Sequence, residues 1–452
     1  MNRNSIAAFV LTFLYAIIIY WIAYQTDRTA FHVFILYYLV GFSLFYILFL
    51  NRQGWSFNMF FAVAIILRLI LLFSVPELSN DFYRFIWDGE LVNLGINPYA
   101  HTPNDLISQA PFYTDQYWRV LYHGMGDLSQ QNYSCYPVFN QLLFALPTAI
   151  FDGIKANVIS MKMLIILADI GTILIGRKIL QKLNKPAHLI FLFALNPFII
   201  LEFTGNLHFE GVMIFFLLFS LYLILTDKWL AAAVFMGIAI QVKLIPILLI
   251  PFVFKKLKIV KAVGYTAMTI LTVIALSSLM LKGEFIDHFM QSIDLYFRSF
   301  EFNASVFYLF REYSFFTDGY DNIAQIGPLL SKIAIVGIGL LAVFKAQKSD
   351  RSIFTGMMFA LVIYYALATT VHPWYISMIL ILSIFTPYKF ALIWSLLVML
   401  SYVAYANPGF KEDLLFISFE YLIVFGLMFY EIFKNTCRSD IRIQLKSFFR
   451  IS

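Results

Sequence analysis

The run Ser79-Asn80-Asp81-Phe82-Tyr83-Arg84-Phe85-Ile86-Trp87-Asp88-Gly89-Glu90 gathers acids, a guanidinium and aromatic rings into one short stretch. On a helix, Asp81, Arg84 and Asp88, with Phe85 and Trp87 roughly beside them, share one polar and aromatic face by i, i+3, i+4, i+7 spacing. A carboxylate there can accept a proton, and a guanidinium can neutralise an anion. Just above a membrane, such a face suits a polar group attached to a lipid. Further candidates lie downstream: His208 with Glu210, Lys243 in a strongly apolar context before Pro246, and His372. An intramembrane cation is a functional hypothesis by default. Each candidate has a plainer alternative. Asp81 can cap a helix starting at Phe82, Arg84 can be an interfacial anchor, and His372 can cap or pack at a helix mouth. Asp88 and Glu90 can be structural beside the turn-marking Gly89 and Gly95. His208 and Glu210 are weak as metal ligands and read better as polar contacts to substrate or to the loop. Arg68, Asp169 and Glu202 lie within apolar segments and read as a buried ion-pair set that holds helices together.

The elements that must position these residues are membrane helices. Hydrophobic residues make up 61% of the 452-residue chain and charged residues 13%, against roughly 45–50% and about 25% in a soluble domain. Apolar runs of about 16–22 residues recur, each long enough at ~1.5 Å per residue to cross a ~30 Å hydrocarbon slab. Stretches such as Ile6 to Tyr24 are apolar on every face, which excludes a barrel of alternating strands. The expected fold is all-α and polytopic, with about twelve full transmembrane helices. They fall near residues 6–24, 31–50, 58–75, 158–176, 188–204, 209–225, 260–280, 328–344, 352–370, 373–386, 389–405 and 415–433, with a broken short pair near 229–241 and 244–254. The N-terminal stretch reads as an uncleaved first helix, because no small-residue cleavage site follows its long apolar part.

Placing the N-terminus in the cytoplasm puts Arg52, Arg177, Lys178, Lys182, Lys185, Lys255, Lys256, Lys258, Lys261, Lys345, Lys348, Arg351 and the tail from Lys434 to Arg450 inside. The positive-inside rule is then satisfied, and the long loops 76–157 and 281–327 both lie outside. One continuous helix over 229–254 would reverse everything upstream, so a break is expected near Gln241-Val242-Lys243. Breaks at membrane depth line a cavity. Residues 136–151 begin and end outside and read as a re-entrant or interfacial element. Cys135 and Cys437 fall on opposite sides, so no disulfide framework is expected. Residues 1–452 read as one membrane-embedded domain with a basic cytoplasmic tail at 434–452.

Loop 76–157 is too long for a plain connector. It holds eight acids (Glu77, Asp81, Asp88, Glu90, Asp105, Asp115, Asp127, Asp152) against three bases (Arg84, Arg119, Lys155). Its run Asp81-Phe-Tyr-Arg84-Phe-Ile-Trp87-Asp88-Gly89, followed by Gly95-Ile96-Asn97-Pro98-Tyr99 and by Tyr136-Pro137 with Gln141, resembles the first external loop of bacterial GT-C superfamily glycosyltransferases. It is similar in particular to polyprenyl-phosphate-mannose-dependent mannosyltransferases. Further matches stand at Asn206-Leu-His208-Phe-Glu210, where that group commonly shows a Gly-His-Asn-Asp type sequence, at Lys243-Leu-Ile-Pro246 and at His372-Pro373-Trp374-Tyr375. The likeness covers most of residues 58–386. One departure is Asn80-Asp81 in place of two acids, which leaves a single carboxylate and argues against a metal; no cofactor is expected. The resemblance implies transfer of a hexose, mannose in the first instance, from a lipid-linked donor to a glycan or lipid-linked acceptor. The implied location is the outer face of a bacterial inner membrane. Asp81 would be catalytic, and Arg84, Trp87, Asp88, Tyr99, His208, Glu210, Lys243 and His372 would bind substrate.

Glycosyl transfer from a lipid phosphate needs a base for the acceptor hydroxyl, while the departing phosphate monoester is a weak base and needs no acid. One carboxylate plus cations therefore suffices: Asp81 as base, with Arg84 or Lys243 and His372 neutralising the phosphate, in an inverting displacement. A transporter or flippase is the alternative class, motivated by the broken pair and the charges in spans; an oligosaccharide polymerase or ligase is another. The concentration of polar residues in one external loop and the lack of repeated halves weigh against transport. Orientation already accounts for the basic clusters, so nucleic acid is not an expected partner. Loop 281–327 carries Asp287, His288, Arg298, Glu301, Arg311 and Glu312 and is expected to close over the acceptor, with Gly319 and Gly327 flanking its end.

Overall fold

The computed structural model describes residues 3–53, 55–317, 319–345 and 349–448. Met1, Lys348 and Arg450, to which the charge argument assigns inner positions, lie outside the described residues. The described chain is helical throughout, with one isolated bridge between Phe302 and Thr370. It starts with α1 (Arg3–Gln25), α2 (Phe31–Leu50) and α3 (Phe57–Ile70). The first long loop folds into α4 (Asp81–Asn93), α5 (Pro103–Ile107), α6 (Gln116–Gln131) and α7 (Val138–Thr148), and α8 (Ile154–Lys182) returns through the bundle. Next come α9 (Phe191–Ala194) and α10 (Pro197–Ile199), the latter running into a π-helical turn, Ile200–Gly205. They are followed by α11 (Glu210–Leu225), α12 (Trp229–Val242) and α13 (Pro251–Ser277). The second long loop forms α14 (Phe285–Arg298) and α15 (Val306–Thr317). The chain continues through α16 (Ile323–Phe344), α17 (Asp350–Leu367), α18 (Ile376–Ile384), α19 (Phe390–Leu397), α20 (Val403–Ala406) and α21 (Leu414–Phe448).

Among the described residues six helices are long and apolar enough to cross a membrane: Ile6–Gln25, Phe31–Leu50, Ile154–Lys182, Pro251–Ser277, Ile323–Phe344 and Leu414–Cys437. Counting the bent pair Ala187–Ala194 and Pro197–Gly205 as one span makes seven. Most of the other segments expected to span form shorter or interrupted helices, and in three of them the reason is local. The apolar run at 58–75 outlasts its helix because the ammonium of buried Lys162 takes the carbonyls of Leu71 and Ser74, at 3.0 and 2.7 Å, and ends α3 there. The run at 188–204 breaks by 55° where Asn196 caps a new helix by accepting from the Phe198 N–H. The run at 389–405 passes through a 3-10 stretch at Val398–Tyr402. A sequence window counts apolar residues and does not see these terminations.

The break near Gln241-Val242-Lys243 is present. α12 stops at Val242, and Lys243 is extended (φ −148, ψ 138). Gln241 donates to the Val273 carbonyl and to Ser277 Oγ, while Gly264, earlier in α13, faces the ring of Trp229, where α12 begins. α12 and the later part of α13 thus run parallel. The chain reverses between them at Lys258, which has positive φ (54). Residues 244–257 carry the chain back along that path as a short segment, set off from the rest of α13 by the reversal at Lys258.

Ion pairs and carbonyl contacts collect the basic loops at one end of the bundle. Arg351 donates to the Leu183 carbonyl (2.6 Å), Lys185 to that of Thr386 (2.7 Å) and Lys255 to that of Lys345 (2.8 Å). Lys256 pairs with Asp350 (2.6 Å) and Arg52 meets His188 (3.0 Å). The two long loops lie together at the other end, where Asn97 donates to the Met280 carbonyl and Ser292 to that of Tyr133.

Two buried charges fasten the bundle. Arg68 pairs with Asp169 at 2.5 Å and also donates to the carbonyls of Ala64 and Ala194, tying α3 to α8 and to α9. Glu202 does not join this pair, contrary to expectation. Its turn directs it to His208 and Tyr402 instead.

Candidate active site

A cavity of about 1600 Å³ opens where the two long loops meet the bundle. Asp81, Arg84, Glu210, Lys243 and His372 all line it, together with Tyr136, Trp374 and Tyr405. Helix ends place them. Asp81 is the first residue of α4, Glu210 begins α11, Lys243 terminates α12, and His372 precedes the short turn Pro373–Tyr375.

α4 begins behind Asn80, whose side chain makes no capping bond; Asn80 Nδ2 donates to the Gly124 carbonyl instead. The Asp81 carboxylate turns inward, Oδ2 lying 4.0 Å from His208 Nε2, with a third of its side chain exposed at the cavity wall. At the positive end of α4, negative charge is favoured. Enclosure by protein works the other way: burial pushes the carboxyl above the ordinary carboxylate range, His208 and then Lys243 oppose this, and Glu210 and Glu202 add to it. The result is a carboxylate with a better grip on a proton than a surface aspartate has.

Lys243 lies 3.0 Å from Glu210 Oε1 and over the Tyr136 ring (4.9 Å to its centroid). Glu210 Oε2 is buried without a hydrogen-bond partner. Lys243 keeps 24% of its side chain exposed, so its charge faces both Glu210 and the cavity. His372 stacks on Trp374 (4.5 Å, 6° between planes) and on Phe302 (5.0 Å), which joins the second long loop to this wall. The Phe302 N–H bonds the Thr369 carbonyl, and the Val371 N–H bonds the Phe302 carbonyl.

The other expected site residues are placed differently. Arg84 touches the cavity, but its guanidinium is already engaged: Nε bonds Asp88 Oδ1 at 2.7 Å, and Nη1 bonds the Ser129 and Asn132 carbonyls. Asp88 is fully buried and accepts in turn from Ser134 Oγ and Gln141 Nε2. Trp87 packs against Phe112 and Trp118 inside the loop domain. Tyr99 is buried against Phe285 and donates to the Tyr136 carbonyl. Neither Trp87, Asp88 nor Tyr99 lines the cavity. His208 is set behind the wall, 1% exposed, stacked on Trp374 at 3.8 Å. Most of the first-loop motif therefore folds the loop, and Asp81 is its member that faces the cavity with an uncommitted carboxylate.

Tyr402, which backs His208 through Glu202, and Glu412 on the cavity wall are missed from sequence; Glu202 is expected there to be structural, and Glu301 and Arg311, named with the second long loop, also line the wall. Arg311 pairs with Glu301 (2.5 Å) and Glu312 (2.8 Å). Glu412 accepts from Tyr308 and from the Asn303 N–H. Nothing local marks Tyr402 or Glu412. No group of three or more His, Cys, Asp or Glu side chains able to hold a metal occurs among the described residues.

Residues 12–257, more than half of the chain, match the family model described as "Alpha-(1->6)-mannopyranosyltransferase, N-terminal domain". The chain belongs to this family. The resemblance read from the first-loop motif is borne out at that level. Alpha-(1->6)-mannopyranosyltransferase A of Corynebacterium glutamicum is 23% identical over 189 residues, covering 40% of this chain and 36% of that protein. The match thus takes in about a third of the relative's length. No solved structure matches. The family segment contains Asp81, His208, Glu210 and Lys243, whereas His372, Tyr402 and the second long loop lie beyond it.

Proposed function

We propose that this chain transfers a mannosyl group from a polyprenyl-phosphate donor to a glycan or lipid-linked acceptor, on the non-cytoplasmic face of a bacterial inner membrane. The observation that carries the proposal is the convergence of Asp81, the Lys243–Glu210 pair and His372 on one cavity, in a chain of the mannopyranosyltransferase family. Family membership supports transfer over transport or glycan polymerisation.

In the proposed step the acceptor hydroxyl oxygen attacks the anomeric carbon as its proton passes to Asp81. The anomeric C–O bond to phosphate breaks, its electrons leave with the lipid phosphate, and configuration inverts. Lys243 neutralises the departing phosphate, as fixed charges aimed at developing charge do. Arg84 is held by Asp88 and two carbonyls, so the role falls to Lys243. Apolar wall residues next to Lys243, among them Leu244, Ile247 and Leu248, suit the first isoprene units.

The short helices fit the same scheme. At ~1.5 Å per residue, α3 and α12, 14 residues each, measure about 21 Å against a ~30 Å core. Helices that stop short leave their end groups in a recess below the membrane surface, where a lipid-anchored phosphate resides. Irregular backbone is tolerated there because it lines a cavity. On this basis twelve crossings stay part of the proposal, several of them completed by non-helical chain.

The full chain purified in detergent, given synthetic short-chain polyprenyl-phosphate mannose and octyl α-mannopyranoside, is expected to release polyprenyl phosphate. The disaccharide formed is expected to carry the anomeric configuration opposite to the donor's, read by NMR. Donor left intact, or moved across vesicles without transfer, would contradict the proposal.

A further inference from the structure

We infer that Glu202 and His208 are a buried positioning pair that orients the Asp81 carboxylate toward the cavity and steadies its charge, a role resting on the transfer reaction proposed above. His208 does not line the cavity, and the Trp374 ring it stacks on does. Substrate therefore meets Trp374 where His208 would otherwise be a ligand. The two ring nitrogens face two carboxylates: Nε2 is 4.0 Å from Asp81 Oδ2 and Nδ1 is 3.0 Å from Glu202 Oε2. Neither contact has hydrogen-bond geometry, so the ring is set between the two carboxylates by electrostatic attraction and by its stack on Trp374.

Glu202 is itself fixed. It is fully buried, Oε1 accepts from Tyr402 OH at 2.8 Å, and Oε2 lies 3.3 Å from Asn206 Nδ2. The backbone is shaped for the same end. Glu202 sits in the π-helical turn Ile200–Gly205, a rare form met frequently at functional sites. Leu207, directly before His208, has φ +66, an uncommon conformation for a branched apolar residue that persists only where its surroundings enforce it. The His208 N–H closes the loop on the Glu202 carbonyl at 3.2 Å.

The groups facing Asp81 are His208, Lys243, Glu210 and Glu202; those facing His208 are Asp81, Glu202 and, across Trp374, His372. Of those around Asp81, His208 most strongly opposes the upward push of burial on its carboxyl. Removing either should leave the cavity lining intact but leave Asp81 poorly aimed, and removing His208 should also make Asp81 harder to ionise.

The test is the pH profile and the kcat-against-KM split of His208→Gln and Glu202→Gln in the full chain, with the synthetic donor and octyl mannoside. Expected for His208→Gln are a fall in kcat of about tenfold or more, donor KM within about twofold, and an acid limb moved up by about one pH unit; Glu202→Gln, which removes a charge that itself raises the Asp81 carboxyl, should lower kcat likewise without that upward shift. Tyr402→Phe, which keeps the ring but frees Glu202, should lower kcat by less with donor KM again within about twofold, and it serves if the other variants do not fold. An active wild type whose His208→Gln variant keeps the acid limb in place, or whose Glu202→Gln variant keeps kcat, overturns the pair alone, as does a raised KM with kcat retained, which would make His208 a substrate ligand. A wild type without transfer overturns the reaction itself.

Discussion

At the residue scale, one carboxylate is separated from its neighbours by what it touches. Asp88 is occupied by Arg84, Ser134 and Gln141, whereas Asp81 lies 4.0 Å from His208 and opens onto the cavity. A base must be deprotonated to work, and burial raises the Asp81 carboxyl, so transfer should rise with pH through a limb above the ordinary carboxylate range. A kcat/KM profile of the wild type checks this; a rate flat down to the range of a surface aspartate would not fit. The place of Asp81 at the cavity was legible because acid, helix start and membrane-proximal loop coincide in sequence. The roles of Arg84, Trp87 and Tyr99 were not, since spacing shows which residues share a helix face but not whether that face meets a cavity or another helix.

At the element scale, the site exists because helices end where they do and pack closely. α4 crosses α7 at Gly89, where an added Cβ would fall 2.5 Å from the Phe144 carbonyl oxygen and 2.9 Å from Thr148 Oγ1. Gly89→Ala should therefore lower stability by about 1–3 kcal/mol, the usual range for overpacking, seen as a reduced unfolding temperature in detergent. Gly339→Ala, on α16 with nothing within 4 Å of the added carbon, should leave it unchanged. The break at Lys243 was readable because charge placement demanded a reversal. The end of α3 was not, because it depends on Lys162 reaching carbonyls some ninety positions away in sequence. For the same reason Glu202 was grouped with Arg68 and Asp169 on hydropathy alone. A π-turn leaves no pattern in hydropathy, and that turn is what redirects it.

At the scale of the whole molecule, the bundle has two chemically distinct ends. Arg52, Lys185, Lys255, Lys256 and Arg351 gather at one, and the cavity with both long loops opens at the other. With Cys135 and Cys437 replaced by serine, Tyr113→Cys on the loop end should react with a membrane-impermeant maleimide in intact cells, and Asp227→Cys at the basic end only after lysis. The reverse pattern would put the cavity on the cytoplasmic side. The central claim is that Asp81, at that outer cavity, takes the acceptor's proton. It is met most directly by Asp81→Asn, which keeps size and shape but cannot act as the base. Turnover should fall about a thousandfold, within the range attributed to a positioned base, while donor binding is retained. Transfer by the folded variant within about threefold of wild type would contradict the account.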